Sequence, residues 1–101
     1  MKFLERGNWS IEVEPTTWLE IISFLNKNGW QPGVPVSRML APKYEFDDEL
    51  AIHFSQAGGI ILEETMKNPM AAYSEIHFDM GKFAEIIEFA KGGGFAIRTA
   101  H

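Results

Sequence analysis

The histidines His53, His77 and His101 are the first residues to weigh for chemistry in a chain of 101 residues that has no cysteine. His77 stands in Glu75-Ile76-His77-Phe78-Asp79. In an extended backbone Glu75, His77 and Asp79 share one face, and three such ligands suit a divalent metal. No second histidine stands at helical spacing and there is no HExxH-type pattern, so no metal site is expected. On this reading Asp79 caps a helix while Glu75 and His77 face solvent. His53 is placed by helical geometry at the edge of an apolar stripe. Glu49 and Gln56 stand four before it and three after it, within hydrogen-bonding reach, which predicts a satisfied, buried structural histidine. His101 is terminal and expected to be mobile.

Other chemistries find less. Ser10, Ser23, Ser37, Ser55 and Ser74 include no Gly-x-Ser-x-Gly elbow. Ser37-Arg38 is the serine context of most interest. Gly92-Gly93-Gly94 follows a predicted helix and precedes a predicted strand. Phosphate-cradling loops run from strand into helix, so this run reads as a helix stop. Glu45, Asp47, Asp48 and Glu49 form the densest acidic patch. They lack the longer alternating ligand series of a calcium loop. The helix dipole favours acidic side chains at a helix start, so a solvated, helix-starting cluster is expected, with a docking surface for a basic partner as the alternative.

The absent cysteines exclude disulfides, cysteine-based zinc sites and thiol catalysis. A net charge of -5 argues against generic nucleic-acid binding, which needs basic surface. The start, MKFLERGNW, has no sustained apolar run, so neither a signal peptide nor a membrane span is expected, and a cytoplasmic location is. No cofactor is implied.

The elements that would position these groups can be read from periodicity. Hydrophobic content is 46%, so the expectation is a single domain over residues 1–101. Trp9, Ile11 and Val13 alternate with polar residues in a strand ended by Pro15, and residues 1–7 extend it or fray. Thr17 and Glu20 have capping-box spacing and open a helix over 16–28, stopped by Lys27-Asn28-Gly29. Residues 30–44 read as irregular, with Pro32, Pro35 and Pro42 removing donors. Their apolar content predicts a cover that adds Trp30 and Leu40 to the core, or else a recognition loop with Arg38 and Lys43 as polar contacts. Asp47 and Asp48 offer N-caps for a central helix over 47–67, on which Leu50, Phe54, Ala57, Gly58 and Ile61 share a face. Ile52, Gly59 and Met66 form a second seam, spaced by sevens. Three readings of that seam compete: cover by another element of the chain, a homodimer or partner contact, and a kink at Gly58-Gly59. After an apolar connection over 68–74 and a brief extended piece over 75–78, Asp79 caps a third helix over 79–91. Phe95 to Thr99 is a final strand, expected to pair with Trp9–Val13.

Three features resemble a known pattern: Gly29-Trp30-Gln31-Pro32-Gly33 after the first helix, a central helix entered through an acidic segment, and Phe89-Ala90-Lys91-Gly92-Gly93-Gly94-Phe95-Ala96-Ile97. Together they look like a family of small uncharacterised bacterial proteins with a Gly-Trp-x-Pro turn and a terminal Gly-Gly-Phe-x-Ile. The resemblance covers about residues 16–98 and implies a bacterial cytoplasmic protein with a mainly helical fold. It implies no activity. A cysteine often stands in that family where this chain has Ala90, so a thiol-based role does not carry over.

The expected fold is α+β and mostly helical: three helices packed around a long central one, with a small antiparallel sheet of the two terminal strands. The expected function is a non-enzymatic protein-interaction factor of immunity, antitoxin-like or accessory type. The alternative is a small-ligand or enzyme pocket between residues 30–44 and the central helix, built from Trp30, Arg38, Tyr44 and His53. A third reading is self-association through Ile52, Gly59 and Met66.

Overall fold

The computed structural model describes residues 1–67, 76 and 78–100. Among them run β1 (Lys2–Arg6), β2 (Trp9–Val13), α1 (Pro15–Lys27), α2 (Val36–Met39), β3 (Lys43–Phe46), α3 (Asp48–Lys67), α4 (Met80–Ala90) and β4 (Phe95–Thr99). The class is α+β, with more residues in helices than in strands. The connection over 68–74 lies outside the described residues, as do Glu75 and His77 of the extended piece expected over 75–78.

The strands form one antiparallel sheet in the order β2-β1-β4-β3. β4 therefore pairs with β1 and β3, not with Trp9–Val13 as expected. Residues 2–6 neither fray nor extend β2. They form a separate strand, joined to β2 by a tight turn at Gly7, whose φ of +60° suits glycine. The pleat explains why this strand was hard to read. Register places Lys2, Leu4 and Arg6 on the same face as Ile11, Val13, Phe95 and Ile97. Two of those three β1 positions are basic, so the apolar alternation is broken on the side that packs inward.

The other face carries Phe3, Glu5, Ser10, Glu12, Lys43, Glu45, Ala96 and Arg98, a polar surface of the kind an antiparallel sheet turns to water. Arg98 lies across it, with Nε 3.0 Å and Nη2 3.2 Å from the two Glu5 carboxylate oxygens. Its guanidinium also covers the Phe3 ring at 4.8 Å.

α1 starts at Pro15, and its N-cap Glu14 makes no side-chain cap bond. The Thr17–Glu20 capping box is not formed. Proline has the backbone angle and the missing donor that the first helical position favours, so the helix begins ahead of Thr17. The stop is as expected: Asn28 Nδ2 donates to the Phe24 carbonyl at 2.8 Å and Gly29 takes a φ of +108°. Trp18, Ile21, Ile22, Phe24 and Leu25 are buried. Residues 30–44 are less irregular than their prolines suggest, because they hold the one-turn α2 and the start of β3. They do cover the core. Trp30 and Met39 are buried, Leu40 is half-buried, and Trp18 Nε1 donates to the Met39 carbonyl at 3.1 Å.

α3 is one unbroken helix, so the kink at its glycines is not formed. Asp47 Oδ1 accepts from Leu50 N at 2.8 Å and caps it. Ala51, Phe54, Ser55, Gly58 and Ile61 are its buried residues. A Cβ at Gly58 would fall on Ile87 Cδ1 of α4, whereas one at Gly59 would meet nothing within 4 Å. The glycine pair thus has two different jobs to explain, and only Gly58 admits a neighbouring helix. Asp79 caps α4 as expected, with Oδ1 accepting from Gly81 N at 2.8 Å.

The last turn of α4 is bound to the sheet. Arg6 Nη1 donates to the Phe89 carbonyl at 2.8 Å and to the Gly93 carbonyl at 3.1 Å. Its guanidinium lies 4.3 Å from the Phe89 ring centre and 5.5 Å from that of Trp9. A cation at a helix C-terminus opposes the negative end of the dipole. Inward-facing Arg6 is therefore a cap for α4 rather than a flaw in the strand.

A candidate cleft at the start of the long helix

β3 leads directly into α3, and the Asp47 cap fixes the angle between them. Residues 31–34 stand opposite, leaving a cleft of about 270 Å³. Tyr44, Glu45, Asp47, Glu49, Leu50 and His53 line its β3 and α3 side. Tyr44 and Phe46 are both directed to the inner face of the sheet, with ring centres 5.8 Å apart.

Of the four residues expected in a pocket here, Tyr44 and His53 line the cleft. Trp30 does not. It is 5% exposed and lies in the core, with its ring edge-on to Phe54 at 5.3 Å. Its Nε1 is buried without a hydrogen-bond partner among the described residues. Arg38 is exposed on α2 and is not part of the lining. His53 is exposed rather than buried, and no hydrogen bond from Glu49 or Gln56 reaches it. One residue along, Phe54 takes the fully buried position, which turns His53 toward water.

The carboxylates were the feature that the pocket reading left out. Glu45, Asp47 and Glu49 all line the cleft, and among the described residues no lysine or arginine does. Asp47 is partly engaged as the α3 cap. Asp48 is turned away and accepts from Gly94 N at 2.7 Å. The acidic patch was legible in the sequence, but only the turn from β3 into α3 sets Glu45, Asp47 and Glu49 along the border of a concave surface. Among the described residues no group of three histidine, aspartate or glutamate side chains is placed to hold a metal ion. Glu75 and His77, the other candidates for such a group, lie outside the described residues. The cleft can therefore attract a cationic group through charge, with Tyr44 and Leu50 offering apolar contact beside it.

Two other concavities differ in character. A hollow of about 440 Å³ at the N-terminal ends of α1 and α4 mixes Glu12, Glu14 and Asp79 with Lys82. Lys82 is already paired with Glu85 at 2.9 Å, and Asp79 is committed to its cap. A hollow of about 180 Å³ lies on the outer face of the sheet over Ala96, bordered by Glu5, Lys43, Glu45 and Arg98.

Lys2 is a buried cation with a structural task. Its Nζ donates to Thr99 Oγ1 at 2.9 Å and to the carbonyls of Ala41 and Leu40 at 3.2 and 3.4 Å. Burial pushes its pKa down. Its three hydrogens all have acceptors, so it clamps residues 40–41 to the sheet and is not available for chemistry.

The seam on α3 is open. Ile52 is 40% exposed, Met66 is 77% exposed, and Ile60 beside them is 59% exposed. Among the described residues, no helix is long and apolar enough to cross a membrane.

No family model, curated protein or solved structure matches this chain.

Proposed function

We propose that this chain is a non-enzymatic interaction protein whose partner is another protein that places a basic side chain in the cleft beside β3 and α3. The observation that supports the reading is the lining: Glu45, Asp47 and Glu49 border the cleft, and among the described residues no lysine or arginine does. Unlike-charge recognition of this kind raises association rate and selects partners. The reading takes α3 as the long central helix around which the other helices pack, with its start as the presenting surface. It also takes the chain as a bacterial cytoplasmic factor of immunity, antitoxin-like or accessory type, with no nucleic-acid partner, in keeping with the family resemblance and the acidic charge.

The test is titration with a lysine-rich peptide and a glutamate-rich peptide of equal length, followed by backbone amide shifts. The expected result is shifts centred on Glu45, Glu49 and His53 with the basic peptide alone, reduced in the Glu45→Gln, Glu49→Gln double variant. Equal or absent responses to the two peptides would sink the reading.

A small-ligand or enzyme role is the second reading, favoured by Tyr44 and His53 facing the same cleft. A thermal-shift screen of metabolites supports it if a compound stabilises the wild type and not His53→Ala. It fails if no compound does.

A further inference from the structure

The outer edge of β3 has an arrangement of charge and backbone groups that complements itself. Thr99 N donates to the Pro42 carbonyl at 2.9 Å. With the register Lys43↔Arg98 to Phe46↔Phe95, antiparallel alternation makes Tyr44 and Phe46 the residues that exchange hydrogen bonds with Ile97 and Phe95. The N–H and C=O groups of Lys43 and Glu45 then point away from β4. β3 is at the end of the strand order, and no backbone bond among the described residues uses those groups.

The side chains of the same two residues also lack partners. Lys43 stands directly across from Arg98, a like charge. Arg98 is already held by Glu5. Glu45 stands across from Ala96. Neither Lys43 nor Glu45 has an ion-pair partner among the described residues.

We propose that β3 pairs antiparallel with β3 of a second copy of this chain, about a two-fold axis through Tyr44. Residues related by that axis have numbers that sum to twice 44, so Lys43 stands opposite Glu45 of the second copy, and Glu45 opposite its Lys43. Both are outward-facing positions, so each pair exchanges two backbone hydrogen bonds. Both side chains lie on the outer face of the sheet, so each pair also brings unlike charges together. The hollow over Ala96, bordered by Lys43, Glu45 and Arg98, leaves room for the incoming side chains. On the inner face Tyr44 meets its own copy at a non-hydrogen-bonded position, where side chains approach most closely. The interface is isologous and closed, and it joins two four-stranded sheets into one.

The opposite edge has no such match. Ala100 N donates to the Met1 carbonyl, so β1 turns its odd-numbered residues to β4 and its even-numbered ones to β2. The outward groups of β2 are then those of Ser10 and Glu12. Any two-fold register sets these two against each other or each against itself, and none makes an unlike-charge pair. The charges on β3 select its own copy, while a short charged edge resists indiscriminate pairing.

The interface is small, so association is weak and depends on concentration. The test combines sedimentation with amide hydrogen exchange over a wide range of protein concentration. The expected result is that the Lys43 and Glu45 amides become protected together as dimer accumulates. K43E and E45K each weaken the dimer at least tenfold, and the K43E/E45K double variant restores it, because every pair re-forms with its signs exchanged. Glu45→Pro removes an outward N–H without touching the bonds to β4 and abolishes the dimer. Where that variant fails to fold, the charge exchange decides. The proposal is overturned if those amides exchange alike at all concentrations. It is also overturned if the double variant is no better than the single ones, if Ile52→Glu rather than K43E disperses the dimer, or if only a basic peptide protects these amides. It shares Glu45 with the acidic-cleft reading, and K43E, at a residue outside the cleft lining, separates the two.

Discussion

Gly94 donates its backbone N–H to Asp48 Oδ1 at 2.7 Å. The bond joins the turn after α4 to the first turn of α3, 46 residues away in sequence. The glycine run is therefore more than a helix stop. Gly93 holds a φ of +109°, and a Cβ at Gly94 would lie 2.7 Å from the Phe46 carbonyl oxygen. Only a glycine lets the two backbones come this close.

Gly94→Ala is accordingly expected to destabilise the fold by about 2 kcal/mol or more, since backbone on the far side cannot give way. Asp48→Ala leaves the Gly94 donor without its acceptor and is expected to cost about 1–2 kcal/mol. Chemical denaturation measures both. An Asp48→Ala variant as stable as the wild type would show that the bond is not formed in solution.

The neighbouring glycines of α3 are expected to respond with opposite signs. Gly58→Ala drives a methyl group into Ile87 and should cost about 1–3 kcal/mol by overpacking. Gly59→Ala meets open space and should gain about 0.5–1 kcal/mol through helix propensity. Midpoints of urea unfolding separate the two, and equal effects would contradict the packing of α3 on α4.

Removing the amine of Lys2 should loosen residues 36–42 selectively. Lys2→Met fills the same space but leaves the Leu40 and Ala41 carbonyls without their donor, a loss of about 1–3 kcal/mol. Faster exchange is expected at the Leu40 and Ala41 amides, which close the turn on Ser37 and Arg38. The amide of Leu4 at the centre of β1 should be unaffected at temperatures where the fold persists.

Acid should dissolve the outer-face pair in a defined window. The hydrogen bond from Arg98 holds the Glu5 carboxyl below its usual pKa. A depressed carboxylate stabilises the fold fully above the unfolded value, about pH 4.3, and loses that contribution as pH falls through the folded value. The Tm difference between the wild type and Glu5→Gln should stay constant near neutral pH and close below that window. The pair is solvent-exposed, so high salt should shrink the difference as well. A gap that widened in acid would contradict the assignment.

Local patterning was enough to find the three long helices, the strands β2 and β4 and the caps at Asp47 and Asp79. Each of these depends on neighbours within one or two turns, and such signals survive in sequence. The short edge strand β3 was hidden among prolines, and β1 by basic residues on its inner face. Both are recognised only through what they pair with.

The candidate cleft followed the same division. A pocket was expected between residues 30–44 and the long helix, and Tyr44 and His53 border the cleft there. Trp30 was expected there too, but the core had the larger claim on an apolar ring. The carboxylates were read as solvated because sequence shows that charges are adjacent and not where they are aimed.

By itself, the sequence determined the α+β class, the caps at Asp47 and Asp79 and the absence of thiol chemistry. Periodicity and composition are properties of the chain alone. Only the tertiary structure decided the strand order, the task of Arg6 on α4, and the different needs of Gly58 and Gly59. Those depend on contacts between residues far apart in sequence, where the packing of one element sets what its distant neighbour can be.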